Sequence, residues 1–296
     1  MIGAQRGFLL LTSHLGDPMR KPLTVAQLRK LAVRAKGMER ESDREMEVSD
    51  LIALGYDRET ADRILYLLSQ EEQLDWYVGE GRRQGCIPVT RVSQDYPAVL
   101  RSRLGLDSPG CLWAKGDLSF LKMPMVALVG SREPEWLGDA FAREAGRQAA
   151  LQGYVLVSGN ARGADRAAQE SCLEHGGRVI SVVADALQDH TLNENILYLS
   201  EDGFDSPFSA QRALSRNRVI HCLPRLTLVA QCRMGKGGTW DGTTKNLQKG
   251  WSPVFCLDDG TEAMRELEQR GAVPINGIDL EDLNSLQPVM RNFISE

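Results

Sequence analysis

From residue 125 onward, short apolar runs alternate with longer amphipathic stretches. The runs are 125–129, 154–157, 179–183, 226–230 and 254–257. Such brief, nearly unbroken runs suit strands buried on both faces. Between them lie 138–152, 164–175, 208–222 and 241–249, where apolar residues recur at helical spacing. This alternation predicts a parallel sheet with right-handed crossovers and helices on its faces. Ligands on such sheets bind beyond the carboxyl ends of the strands, near a switch in strand order.

The first third of the chain reads differently. Residues 23–36 space Leu23, Ala26, Leu28, Leu31, Ala32 and Ala35 as one helical face, with Gly37 as the stop. Over 49–68, Ser49 or Asp50 can cap, Gly55-Tyr56-Asp57 makes a turn, and Ala61, Ile64, Leu65 and Leu68 line a face. Residues 70–84 form a third predicted helix. Next, Cys86-Ile87-Pro88-Val89-Thr90 and Leu112-Trp113-Ala114-Lys115-Gly116 read as short strands, with a turn at Asp95-Tyr96-Pro97. The expected organisation is a helical module over 1–85, a strand extension packed on the sheet over 86–122, an extended Rossmann-like α/β domain over 123–277, and a tail over 278–296.

Charge sharpens this division. The net charge is −5 over 296 residues, which argues against a wholesale nucleic-acid coat. From Glu39 to Glu80 there are thirteen Asp/Glu against four Lys/Arg; from Phe204 to Trp251 there are eight Lys/Arg against two Asp. An acidic helical module beside a basic segment implies separate roles for the two. No apolar run approaches the roughly 18–20 residues of a membrane span, and Phe8-Leu9-Leu10-Leu11 is too short for a signal-peptide core. A cytoplasmic, non-membrane protein is expected. The six cysteines form no CxxC pair and the four histidines are isolated, so reduced core thiols and neither a metal site nor a cofactor are expected.

The chemistry-bearing residues fall at the strand ends. After 125–129 comes Gly130-Ser131-Arg132, where glycine permits a tight turn and Ser131, Arg132 and the next helix N-terminus offer donors to an anion. After 154–157 comes Ser158-Gly159-Asn160-Ala161-Arg162-Gly163-Ala164-Asp165. This is a nest-like loop feeding a helix, with Arg162 as a charged fork and Asp165 placed to accept backbone N–H groups. It is neither G-x-x-x-x-G-K-[ST] nor G-x-G-x-x-G. The 208–222 stretch carries Arg212, Arg216, Asn217 and Arg218; Arg212 and Arg216, four apart, share a predicted face. After 226–230 comes Arg233-Met234-Gly235-Lys236-Gly237-Gly238-Thr239-Trp240-Asp241-Gly242, the clearest anion-binding loop of the chain. Trp240 can stack on a base or fill the core.

Ordered motifs in this chain resemble the DprA/Smf family, the DNA-processing proteins of natural transformation. They are Gln94-Asp95-Tyr96-Pro97, Leu112 to Asp117, Val126 to Arg132, Ser158 to Asp165, Ser215-Arg216-Asn217-Arg218-Val219-Ile220, and Glu266 to Ile275. The resemblance covers about 85–277, and the N-terminal helices fit the family's SAM-like module. It implies a commonly homodimeric protein that binds single-stranded DNA in the pocket made by these loops, protects it, and helps load a RecA-type recombinase. It assigns phosphate contacts to Arg132, Arg162, Arg216 and Arg218, with the Gly237-Gly238-Thr239 loop beside them. There are departures. Gln169 stands where the family usually has a histidine, and Gly237 to Gly242 leans toward the wider superfamily of LOG-type phosphoribohydrolases. The end at 296 leaves no room for the winged-helix domain many members carry.

The expected function is therefore non-catalytic binding of single-stranded DNA, since no nucleophile–base pair is in sight. The site would comprise Gly130, Ser131, Arg132, Ser158, Gly159, Arg162, Gly163, Arg212, Arg216, Asn217, Arg218, Lys236, Gly237, Gly238 and Thr239, with the four arginines 132, 162, 216 and 218 converging in one basic pocket. The alternatives are a LOG-like nucleotide hydrolase and a sensor of a nucleotide signal in phage defence. The hydrolase needs a glutamate where this chain has Gly242, with Asp241 displaced by one.

Overall fold

The computed structural model describes residues 3–36 and 46–287. The expected stop at Gly37, the acidic residues 39–45 and the end of the tail lie outside the described residues. Five helices come first: α1 (Gly3–Thr12), α2 (Val25–Ala35), α3 (Val48–Ala53), α4 (Arg58–Leu68) and α5 (Glu71–Arg83). Local chemistry starts them. Thr24 and Gln27 form a reciprocal capping box on α2, and the Asp57 carboxylate accepts the Thr60 N–H at 2.7 Å on α4.

Helix α1 was not expected, because four consecutive apolar residues show no helical period. They are consecutive because this helix is buried on more than one side. Leu9 and Leu10 join a cluster with Tyr77, Trp113 and Phe204, whereas Leu11 joins Leu31, Leu51 and Ile64 among the other helices. The helical module thus shares a core with the sheet.

The remaining strands and helices are β1 (Ile87–Thr90), α6 (Ala98–Leu104), β2 (Cys111–Lys115), β3 (Met125–Val129), α7 (Trp136–Leu151), β4 (Val155–Ser158), α8 (Ala164–Glu174), β5 (Arg178–Val182), β6 (Ile196–Ser200), α9 (Ala210–Ser215), α10 (Asn217–Cys222), β7 (Leu226–Val229), α11 (Gly237–Lys249), β8 (Val254–Leu257), α12 (Glu262–Gln269) and β9 (Val273–Ile275). They build a nine-stranded sheet in the order β1-β2-β6-β5-β4-β3-β7-β8-β9. From β6 to β9 every pairing is parallel; β1 and β2 extend the β6 edge antiparallel. This is the expected Rossmann-like α/β class. Residues 87–90 and 111–115 enter the sheet itself as its edge strands.

Alternate strand residues face opposite helical layers. Ala127, Val157 and Ile180 pack with Leu100, Ile220 and Met264; Val126, Leu156 and Val179 pack with Phe141, Ala145 and Ala168. Helices α7 and α8 approach so closely that a Cβ on Gly146 would lie 2.1 Å from the Ala168 carbonyl oxygen. Five of the six cysteines are buried and none is paired. Among the described residues no helix is long and apolar enough to cross a membrane.

Two further differences from the sequence pattern matter. Strand β6 was missed because no α-helix separates it from β5; residues 183–195 hold only a 3-10 turn at Leu187–Asp189. The helix expected over 208–222 is two short helices that meet at Arg216.

Candidate functional site

Strand order reverses between β3 and β7. The chain proceeds outward from β3 through β4, β5 and β6, then returns to place β7 on the other side of β3. The loops leaving β3 and β7 therefore diverge, and a crevice opens between them. A cavity of about 930 Å³ sits there, lined by Gly130 to Glu133, Gly159 to Arg162, Asp185, Arg216, Asn217, Arg233, and Lys236 to Thr239 among others. Its lining holds five cations (Arg132, Arg162, Arg216, Arg233 and Lys236) against three carboxylates (Glu133, Asp165 and Asp185).

The glycines make this crevice by letting backbones close in. A Cβ on Gly130 would lie 2.5 Å from the Ala164 Cβ, and one on Gly163 (φ 86°) would lie 2.5 Å from the Ser131 carbonyl oxygen. The Ala164 N–H donates to that same carbonyl at 3.0 Å, and the Thr239 hydroxyl donates to the Gly130 carbonyl at 2.7 Å. The loops after β3, β4 and β7 are therefore cross-braced around the cavity floor.

Arg216 is the innermost cation. It is 7% exposed, and its Nη2 donates to the Gly159 carbonyl at 2.8 Å. A Cβ on Gly159 would lie 1.8 Å from its Nη1, so only glycine leaves room for the guanidinium. Its Nε is buried without a partner. Burial pulls its pKa down, and the Asp165 carboxylate opposes that shift. Asp165 is likewise buried. Burial pushes its pKa up, opposed by Arg216 and by backbone donors including the Gly159 and Ala161 N–H groups. The 158–165 loop thus spends those two amides on Asp165 rather than leaving them for a ligand. Asn160 in this loop holds φ 57°, a left-handed conformation uncommon outside glycine.

The open anion cradle is the start of α11. Its N-cap, Lys236, makes no side-chain cap, and Gly237 to Thr239 line the cavity. The first N–H groups of a helix have no intrahelical partner and carry the positive end of its dipole. Asn217 Nδ2 donates to the Gly238 carbonyl at 3.0 Å, fixing this turn against α10.

The cavity therefore brings together Gly130, Ser131, Arg132, Gly159, Arg162, Arg216, Asn217, Lys236, Gly237, Gly238 and Thr239. Ser158 and Gly163 lie behind the lining; the Ser158 hydroxyl is buried without a partner. Arg218 does not converge with the other three arginines. It donates from Nε to the buried Glu201 carboxylate at 3.2 Å. Burial raises the Glu201 pKa, and Arg218 pulls it back. Arg212 is also off the lining, 2.5 Å from Asp202, with Nη1 on the Ser206 carbonyl at 2.6 Å and also on the Pro207 carbonyl. The break at Arg216 is the physical reason that the shared face of Arg212 and Arg216 does not form.

Several lining residues lay outside the expected site. Glu133 bridges Arg162 at 2.8 Å and Arg233 at 3.1 Å, all three being exposed. Asp185 accepts from, or donates toward, His190 Nε2 at 3.0 Å according to the proton held between them. His221 is buried against the floor near Thr227 and Asn246, and burial pulls its pKa down to about 3. Phe208 and Leu214 complete one wall. The sequence offered a weak signal for Phe208, an aromatic residue one position ahead of the Ser209 cap of α9. Trp240 is half-buried against the core, with the Arg270 guanidinium 5.8 Å from its ring centre, and is not among the lining residues. Asp241 pairs with Lys245 at 2.8 Å, also off the lining. Among the described residues no group of three or more His, Cys, Asp or Glu could hold a metal ion.

The sequence model of the DNA recombination-mediator protein A family matches residues 88–279, nearly two thirds of the chain. The chain belongs to this family. Among curated relatives, it is 33% identical over 181 residues to the DNA processing protein DprA of Streptococcus pneumoniae, covering 56% of this chain and 63% of that one. It is 29% identical over 211 residues to Protein Smf of Escherichia coli, covering 66% of this chain and 55% of that one. The chain thus spans less than two thirds of the length of either relative. The solved DprA of Streptococcus pneumoniae superposes with a TM-score of 0.68 at 26% identity, over 87% of this chain and 92% of that one. DNA processing protein A of Helicobacter pylori shares the fold, with a TM-score of 0.55 at 24% identity, over 66% of this chain and 94% of that one. The matched stretch of this family member contains every loop that lines the cavity.

Proposed function

We propose that this DprA-family chain binds single-stranded DNA through the crevice between β3 and β7, without catalysing a reaction. The observation that carries the proposal is the pairing of an uncapped α11 N-terminus with a cation-rich lining in one braced cavity. Helix termini and guanidinium groups are the donors that phosphate oxygens need. The Helicobacter pylori relative is described by its single-stranded DNA binding mode. Arg132, Arg162, Arg233 and Lys236 would meet backbone phosphates, and Arg216 would hold the floor of the site in shape. In this role the protein would act in the cytoplasm as a homodimer, protecting incoming DNA during natural transformation and helping to load a RecA-type recombinase.

The nucleotide-hydrolase alternative finds less support, because the nearest carboxylate to the expected acid, Asp241, is paired with Lys245 off the lining. One assay separates the readings: single-stranded DNA, duplex DNA and mononucleotides compared in one buffer across a salt series. Single-stranded DNA should bind tightest, and its affinity should fall steeply with salt as counterions are released. A flat salt dependence, or tight mononucleotide binding without DNA binding, would overturn the proposal.

A further inference from the structure

The cavity has two chemically different walls. One is the glycine loops with their amides and cations. The other is apolar, formed by Phe208, Ala210, Ala213 and Leu214. Phe208 is 60% exposed and Leu214 is 48% exposed. Scattered exposed apolar residues need no explanation, but these line the same cavity as the anion cradle. A volume of about 930 Å³ also exceeds what a phosphate fills and lies at the upper end of small-molecule pockets.

Phe208 stands on a braced segment. Arg212 ties the carbonyls of Ser206 and Pro207, the Asp202 carboxylate and the Ser200 hydroxyl together. Tyr77 of α5 donates to Asp205 at 2.6 Å, and Gly203 leaves room for the Tyr77 hydroxyl, which a Cβ there would approach to 2.0 Å. The Ser209 hydroxyl then accepts the Arg212 N–H at 3.1 Å. A ring on a pre-ordered backbone loses little freedom when a ligand packs on it.

We propose that the apolar wall is a nucleobase subsite, with Phe208 as its stacking ring and Arg212 as the residue that positions it. The inference rests on the single-stranded DNA reading above and adds how the site tells single strands from duplexes. With its phosphate on the α11 cradle, a nucleotide presents its base to Phe208. Only an unpaired base has a free face to offer, and a phenyl ring accepts any base because it makes no hydrogen bonds.

The test compares an oligothymidylate with an abasic phosphodeoxyribose oligomer of equal length, by fluorescence anisotropy. The wild-type protein should prefer the base-bearing oligomer by about tenfold or more, the order expected for stacking one or two bases. Phe208→Ala should collapse that preference, whereas Phe208→Trp should restore it. Arg212→Ala should shrink it without changing the salt slope, which a lost phosphate contact would lower. Melting temperatures of all variants guard against unfolding. Equal wild-type affinity for the two oligomers, or a Phe208→Ala loss of the same size on both, overturns the base subsite and leaves phosphate binding standing. Failure of the wild-type protein to bind either oligomer overturns the parent proposal.

Discussion

Glu133 holds the two outer arginines of the cavity, and replacing it with glutamine should tighten DNA binding. Its carboxylate lies 2.8 Å from Arg162 Nη2 and 3.1 Å from Arg233 Nη2. At such separations two unit charges in bulk water attract by about 1.4 kcal/mol. The side chains are exposed, 71% for each arginine and 60% for the glutamate. Screening and lost side-chain freedom reduce each pair to about 0.2–1 kcal/mol. A DNA phosphate that uses both guanidinium groups must displace this carboxylate. Glu133→Gln should therefore recover about 0.4–2 kcal/mol, a Kd lower by about 2- to 30-fold at low salt. The gain should shrink as salt rises, because the competing pairs are exposed to screening. Anisotropy titrations of a labelled oligonucleotide between about 50 and 200 mM salt would measure it, with thermal melts alongside. The melting temperature should barely move. An unchanged or weaker Kd at the lowest salt, in a variant of normal stability, would refute the competition and with it the phosphate role of Arg162 and Arg233.

Arg162→Ala should weaken binding of all DNA sequences about equally, lower the salt slope by about one, and change stability within ~0.5 kcal/mol; a stability loss at constant slope would instead make Arg162 a brace. Arg216→Ala should cost about 3–5 kcal/mol in urea unfolding, since it strips the buried Asp165 of its cation, and a loss below about 1 kcal/mol would contradict the buried-pair account. His221 has a folded pKa of about 3 against an ordinary 6.5, so its contribution is complete above pH 6.5. As pH falls below 6.5 the unfolded chain takes up a proton that the folded one refuses, and stability should drop by up to ~1.4 kcal/mol per pH unit. Urea melts of wild-type protein and His221→Asn from pH 7 to pH 5 check this: parallel pH profiles would show that His221 is not the group responsible.

Much of the architecture was legible because burial on both faces leaves a direct mark. Strands β3, β4, β5, β7 and β8 are apolar runs with no polar face to keep, and each was expected where it lies. The glycine loops were legible for a related reason: glycine beside arginine at a strand end has few other uses. The pattern failed where an element broke the alternation. Strand β6 has no helix before it, and α1 is surrounded by core, so neither shows the period its class usually shows.

The sequence by itself determined the layered α/β class and which loops reach the carboxyl edge of the sheet, because periodicity and glycine placement are local properties. Tertiary structure alone decided what each arginine does. Arg216, Arg218 and Arg212 lie within seven residues of one another in a basic stretch, yet one meets the Gly159 carbonyl, one Glu201 and one Asp202. Those partners lie 57, 17 and 10 positions away, on other loops. Coulomb attraction depends on distance in space, and the chain break at Arg216 sets those distances. The same folding gave Arg162 and Arg233, 71 positions apart in the chain, a shared carboxylate at the mouth of one cavity.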